Sequence, residues 1–250
     1  MQYLVQRAGL TLRGELTGPQ ENAGHHLAIL FHGFKGDIGH DQANLLFDLK
    51  DDLNAAGIPT LRMNFNGCGD SDGDFADMTV LNEIDDAIAI LKQAIHDFHP
   101  ARLTLIGHSQ GGVVASMVAA YYHDLVDDLV LLAPAATLVD DANAGVCQGV
   151  TYDPNHIPES IDVDGFTVGG AYFRTAQRLH IYETAAGFTK PVLLIHGTAD
   201  QIVNYQASIR YDQIYANSTL HLIDGASHRL IGPGTQRSNV KQLVVNFVTH

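Results

Sequence analysis

Apolar positions in this chain follow two patterns that alternate along its length. Continuous apolar runs at Leu27-Ala-Ile-Leu-Phe31, Leu129-Val-Leu-Leu-Ala133 and Pro191-Val-Leu-Leu-Ile195 read as strands covered on both faces. Between them, Leu45, Leu46, Leu49 and Leu53 recur at helical spacing, as do Val80, Ile84, Ala87, Leu91 and Ile95. The spacing predicts a helix over 42–56, stopped by Gly57 with Pro59 beyond it, and a longer one for which Thr79 is the N-cap. Further strands are predicted over 60–65, 102–106 and 220–223, and further helices over 110–122, 207–215 and 240–248. Residues 3–6 and 10–16 mix apolar with polar positions and read as an opening antiparallel hairpin. Strands alternating with helices predict an α/β fold, a mostly parallel central sheet with helices on both faces, and sites at the carboxyl ends of its strands. The rhythm fails over 135–186, where Gly, Pro and Asp interrupt short periodic pieces. That stretch is expected to be an inserted cap within a single domain spanning 1–250.

One strand-to-helix junction carries a chemical pattern. The run Leu103 to Ile106 breaks at Gly107-His-Ser-Gln-Gly111 and resumes as helix, which is the G-x-S-x-G nucleophile elbow in its proper context. A serine at such a turn holds Oγ exposed in strained backbone geometry, and the flanking glycines admit close backbone approach. A serine hydroxyl is a weak nucleophile, so Ser109 requires a base and an acid that orients the base. With this elbow the chain order is serine, acid, histidine. Asp200, in His196-Gly-Thr-Ala-Asp200, and His228, in Asp224-Gly-Ala-Ser-His228, follow the last two predicted strands in that order. Asp224 lies too close to the strand end that carries His228, and Glu183 belongs to the cap. Acyl transfer also needs two fixed N–H donors for the oxyanion. The candidates are the backbone of Gln110, after the nucleophile, and of Phe34, in His32-Gly-Phe34 after the third strand.

Composition removes several other function classes. Lys+Arg 14 against Asp+Glu 28 gives a formal charge of −14, unsuited to a nucleic-acid backbone or an anionic membrane surface. The N-terminal residues lack the basic and apolar regions of an export signal, no apolar run is long enough to span a membrane, and a cytoplasmic location is expected. Cys68 and Cys147 then read as free thiols. Asn66-Gly-Cys-Gly-Asp-Ser-Asp-Gly73 has neither a dinucleotide fingerprint nor a phosphate-loop lysine, so it reads as a structural turn, and a nicotinamide oxidoreductase is disfavoured. No metal-ligand cluster is evident: His25-His26 and His96-x-x-His99 read as surface residues.

With the elbow, Asp200, His228 and His32-Gly-Phe34 placed, the chain resembles the α/β-hydrolase family, and over nearly its whole length the bacterial feruloyl (cinnamoyl) esterases. The resemblance rests on Asn64-Phe-Asn-Gly67, Gly69-Asp-Ser-Asp-Gly73, Met78-Thr-Val-Leu-Asn-Glu83, Gly107 to Met117, Leu132 to Leu138 and Gln148-Gly-Val-Thr-Tyr152. It implies a cofactor-free serine carboxylesterase acting on small aromatic esters, those of ferulic, caffeic and p-coumaric acids, chlorogenate among them. It also implies that the cap holds the phenolic end through Asp141, Gln148 and Tyr172. A buried phenol does need a polar partner, or it loses its water without compensation. A homodimer is compatible with the sequence. Three places depart from the family: Lys35-Gly-Asp-Ile-Gly-His40, Cys68 where histidine is more usual, and Arg229-Leu-Ile-Gly-Pro233. These loops border the acyl or alcohol pocket and bear on substrate preference. A general short-chain acyl esterase or lipase and a non-catalytic binding protein on the same fold are the alternatives.

Overall fold

In this computed structural model, residues 1–232 and 237–250 are described. The predicted opening hairpin is present, with β1 (Gln2–Arg7) antiparallel to β2 (Leu10–Thr17). The chain then alternates through β3 (His26–Phe31), α1 (Leu45–Ala55), β4 (Thr60–Met63), α2 (Val80–Phe98), β5 (Arg102–His108), α3 (Gln110–Tyr121) and β6 (Asp128–Leu132). After β6 come α4 (Leu138–Ala144), β7 (Val146–Cys147), β8 (Val150–Thr151), β9 (Ser160–Val163), β10 (Phe166–Gly169), α5 (Gly170–Ala176) and α6 (Ile181–Ala185). β11 (Val192–Gly197), α7 (Gln206–Ile214), β12 (Ser218–Ile223) and α8 (Arg237–Thr249) complete the described elements.

Eight strands form the central sheet, in the order β1-β2-β4-β3-β5-β6-β11-β12, and every pairing from β4 to β12 is parallel. Antiparallel β1 and β2 close one edge. Successive side chains of a strand point to opposite faces, and the continuous apolar runs divide accordingly. Leu27, Ile29 and Phe31 of β3 pack into the core beneath α2 and α3, whereas Ala28 and Leu30 enter the core beneath α1 and α8. β6 and β11 repeat that division. Both faces are therefore dry, which is why these strands read as unbroken apolar runs rather than alternating ones. The strands at 146–169 form two separate two-stranded pieces, and neither joins the main sheet.

Polar side chains set several element boundaries. α1 begins at Leu45 rather than residue 42 because the Asn44 side chain accepts from Leu46 N–H (3.0 Å) and Phe47 N–H (3.1 Å). α2 starts where predicted, with Thr79 and Asn82 forming a reciprocal capping box. β4 ends at Met63, short of Phe65, because Phe65 N–H donates to His32 Nε2 (3.1 Å) instead of continuing the ladder. The following turn is structural, as its composition suggested. Asn64 Oδ1 accepts Ile38 N–H (2.8 Å), and Asn66 binds the buried Asp86 through N–H and Nδ2 (2.8 and 2.6 Å). One surface reading needs correction: His26 is half-buried at the start of β3 and hydrogen-bonded to Thr104 Oγ1 (2.9 Å). Cys68 and Cys147 are free. No helix among the described residues is long and apolar enough to cross a membrane.

Candidate active site

The parallel strands deliver their polar residues to one end of the sheet. Phe34 follows β3, Ser109 follows β5, Asp200 follows β11 and His228 follows β12. Ser109 sits between β5 and α3 at φ 56° and ψ −123°, a conformation that costs a non-glycine residue roughly 1–3 kcal/mol and persists only when its surroundings enforce it. Close packing around the turn enforces it. A Cβ at Gly107 would lie 2.2 Å from the Gly111 carbonyl oxygen, and one at Gly111 would lie 2.3 Å from the carbonyl oxygens of Phe31 and His32. The glycines thus let α3 and β3 close onto the elbow, and Ser109 N–H anchors it to Leu132 O (2.9 Å).

Ser109 Oγ lies 2.9 Å from His228 Nε2, and His228 Nδ1 lies 2.7 Å from Asp200 Oδ2. A carboxylate only accepts, so Nδ1 carries the proton of the neutral ring and Nε2 is free to accept from the serine hydroxyl. The Asp200 side chain is fully buried and receives four donors. Oδ2 accepts from His228 and from His196 Nε2 (3.0 Å), and Oδ1 accepts from the N–H groups of Ile202 (2.8 Å) and Val203 (2.9 Å). Burial alone would raise its pKa. The His196 and His228 bonds outweigh burial and hold the carboxyl well below the usual range, so it stays ionised.

Three further histidines frame this chain, His32 and His196 buried and His108 half-buried, and their roles were not read from the sequence. His196 donates from Nε2 to Asp200 and Val203 O (3.1 Å), so its Nδ1 accepts from the Ser208 hydroxyl (2.7 Å). His108 donates from Nε2 to the His228 carbonyl (3.0 Å), tying the elbow to the loop after β12. Burial, then the neighbouring His228, lowers the His108 pKa to about 3, so it remains a neutral strut. His32 accepts Phe65 N–H and donates from Nδ1 to Gly33 O (2.9 Å); burial lowers its pKa too. His196 offered a local signal, standing near the end of β11 four residues before Asp200, and His108 adjoins Ser109. Nothing local distinguishes His32 from a turn residue.

The N–H groups of Phe34 and Gln110 have no acceptor among the described residues, and both residues border the same cavity as Ser109. The Gln110 side chain is fixed separately: Nε2 donates to the buried Glu83 (2.7 Å), and Oε1 accepts from the Tyr172 hydroxyl (2.8 Å). Burial, against the opposing Gln110 bond, raises the Glu83 pKa to about 8.

Two cavities meet at Ser109. One is a narrow slot of about 60 Å³ beneath α4, the β7–β8 turn and α5. It is mostly apolar and bordered by Phe34, Tyr172 and Phe173, with Phe34 and Tyr172 ring centroids 5.2 Å apart. Asp141, Gln148 and Tyr172 all line this slot, so the three residues implied by the resemblance stand together. They are not equally available. Asp141 accepts from Thr137 Oγ1 (2.9 Å) and burial raises its pKa, Gln148 is exposed at the β7–β8 turn, and the Tyr172 hydroxyl is already donated to Gln110. The other cavity is an open groove of about 580 Å³ that reaches His228, Lys35, Asp37 and Arg229. The atypical loop at 35–40 forms one wall, held from beneath by the buried Arg62 guanidinium on the Ile38 carbonyl. The other atypical loop is described as far as Gly232; Pro233 lies outside the described residues. No group of three or more His, Cys, Asp or Glu among the described residues could hold a metal ion.

Fold and site together define a serine hydrolase of the α/β-hydrolase fold. The chain belongs to the family described as serine aminopeptidase, S33, which it matches over residues 24–150. Among solved structures it is similar to Est1E from Butyrivibrio proteoclasticus with ferulic acid bound. That match has 31% identity and a TM-score of 0.92, covering 99% of this chain and 98% of that one. A second Est1E structure matches at 29% identity and a TM-score of 0.87, covering 99% and 97%. Mouse alpha/beta hydrolase domain-containing protein 10, at 18% identity and a TM-score of 0.77 with 100% and 97% coverage, shares the fold. No curated protein matches the chain.

Proposed function

We propose that the protein is a carboxylesterase that hydrolyses hydroxycinnamate esters through an acyl-enzyme. The observation that carries this reading is the hydrogen-bonded line from Ser109 Oγ through His228 to the buried Asp200, opening onto an aromatic-walled slot with polar groups at Asp141 and Gln148. Ser109 Oγ attacks the ester carbonyl while His228 Nε2 takes its proton. The Phe34 and Gln110 N–H groups receive the charge that develops on the carbonyl oxygen, each such donor being worth about 2.7–4 kcal/mol of barrier. His228 returns the proton to the leaving alcohol oxygen. Water then repeats the sequence on the acyl-enzyme and frees Ser109. Asp200 keeps the imidazole proton on Nδ1 and stabilises the imidazolium, with no proton transfer of its own.

For the acyl half, the segment at 135–186 acts as the cap. Phe34, Tyr172 and Phe173 are suited to the faces and edge of a phenyl ring, and Asp141 or Gln148 to its para-hydroxyl. Tyr172 contributes its ring and the remaining acceptor capacity of its hydroxyl. The similar Est1E structure with ferulic acid bound supports this assignment. One observation favours a second reading, an esterase for short acyl chains: the slot measures only about 60 Å³. Comparing kcat/KM for ethyl ferulate and p-nitrophenyl butyrate separates the two. A clear preference for ferulate is expected; preference for butyrate leaves the serine chemistry standing and removes the hydroxycinnamate substrate.

A further inference from the structure

The turn that carries the proposed oxyanion donor Phe34 holds a residue its backbone does not favour. Gly36 N–H donates to Gly33 O (3.0 Å) and closes a four-residue turn over 33–36. Lys35 stands third in it at φ 59°, whereas Phe34 before it is not left-handed. A turn of that form ordinarily takes Gly or Asn in the third place, because a residue with a larger side chain is strained there. Such a conformation persists only where the surroundings enforce it.

The enforcing contact is made by the lysine side chain. Lys35 Nζ lies 2.7 Å from Asp164 Oδ2, in the turn between β9 and β10, and the lysine side chain is only 14% exposed. Nζ also stands 5.7 Å from the Phe34 ring centroid and 5.8 Å from that of Phe166, within the range at which a cation is drawn to an aromatic face. The hairpin is a firm anchor. Gly165 N–H donates to Asp162 Oδ1 (3.1 Å), and Gly169 packs so closely on the segment Phe75–Asp77 that a Cβ there would lie 2.2 Å from the Ala76 carbonyl oxygen. Phe166 meets Phe75 with centroids 5.2 Å apart, and Phe75 meets Phe34 at 5.5 Å. Ion pair and ring contacts thus converge on two adjacent turn residues. On its other side the turn presses on the elbow, where a Cβ at Gly33 would lie 2.8 Å from Ser109 Cβ.

We infer that Lys35 and Asp164 are positioning residues for the reaction: their ion pair clamps the turn at 33–36 to the β9–β10 hairpin and fixes Phe34 N–H relative to Ser109. Lys35 stands in a stretch where the chain departs from the feruloyl esterase pattern, and the clamp is its counterpart in this fold. The inference rests on the serine mechanism with Phe34 as a donor, and it is independent of the acyl group that fills the slot. The Asp164 side chain is 68% exposed, so the pair is a modest one, worth about fivefold and weakened by salt.

Asp164 borders neither cavity, so replacing it leaves their linings intact. Asp164→Asn removes the charge and keeps a residue type that tolerates the observed φ of 53°. This variant and Lys35→Met are each expected to lower kcat per folded molecule about fivefold, equally on ethyl ferulate and p-nitrophenyl butyrate, because both esters need the same oxyanion donor. KM is expected to stay unchanged in Asp164→Asn, and the double variant to be no slower than either single one. In 1 M NaCl the ratio of wild-type kcat to Asp164→Asn kcat is expected to fall to about one. Wild-type kcat in Asp164→Asn overturns the clamp, as does a loss that appears in KM, a loss on one cleaved ester and not the other, or losses that multiply in the double variant. With Ser109→Ala inactive, those results leave the serine mechanism standing. Full activity in Ser109→Ala overturns that mechanism and the clamp with it.

Discussion

At the residue scale, the Asp200 carboxylate concentrates more of the site's electrostatics than any other group described. Four donors converge on a fully buried side chain, and two of them are histidines. Removing His196 leaves the carboxylate one donor short and free to tilt relative to His228. His196→Leu is expected to lower kcat about tenfold with little change in KM, because His196 and Asp200 border neither cavity; a rise in KM at constant kcat would show that His196 acts on the pocket. Ser109→Ala removes the proposed nucleophile and is expected to lower kcat by about five orders of magnitude or more while thermal unfolding stays cooperative. Ser109, Asp200 and His228 were legible in the sequence because each is fixed by a local rule, an elbow motif or a position just past a strand end, together with chain order. His32 and His108 were not. They act through partners distant along the chain, Phe65 N–H and the His228 carbonyl, that only the fold brings near.

At the element scale, α2 does more than cover the sheet. It carries Glu83 beneath the elbow, where the carboxyl accepts from the Gln110 side chain, and Gln110 in turn receives the Tyr172 hydroxyl of α5. One side chain thus connects α2, α3 and α5 beside the expected oxyanion donors. Because the folded-state pKa of Glu83 is raised to about 8, the folded state holds this proton over a range in which the unfolded chain has released it. Stability from this group is therefore lost as pH rises from about 4.5, the unfolded carboxyl range, through 8. Glu83→Gln keeps an oxygen for the Gln110 donor and cannot ionise. The variant is expected to melt several degrees above wild type at pH 9 and close to it at pH 5, in matched thermal scans; equal melting at pH 9 would remove the buried-acid account. Sequence periodicity marked α2 correctly but could not assign Glu83, because an acid beside an apolar stripe reads the same whether it is buried or at the rim. Boundaries were less legible than elements for a similar reason. The cap at Asn44 and the diversion of Phe65 N–H to His32 are side-chain choices that apolar spacing does not encode.

At the scale of the whole molecule, acid and base act on different groups. On the proposed mechanism His228 must be neutral to accept the serine proton, a requirement of the reaction and not of the fold. Acid weakens the fold through Asp200. The Asp200 carboxyl is depressed in the folded state, so its contribution is present above the unfolded carboxylate pKa and is lost as pH falls through the folded value. Thermal scans in which Asp200→Asn lost as much stability on acidification as the wild type would contradict this account. The α/β architecture, the parallel sheet and the strand-end placement of the site followed from alternating apolar runs. The two unequal cavities did not, since the slot is assembled from α4, the β7–β8 turn and α5, whose short segments carry little periodicity of their own. The groove, likewise, depends on two loops that meet only in the fold.

The most direct measurement is rapid-quench mass spectrometry of the enzyme mixed with ethyl ferulate, followed by peptide mapping. A feruloyl adduct is expected on the peptide that contains Ser109, formed within the first turnover and absent from Ser109→Ala. Sustained ferulate release with no adduct on Ser109, or undiminished release by the Ser109→Ala variant, would contradict a serine acyl-enzyme.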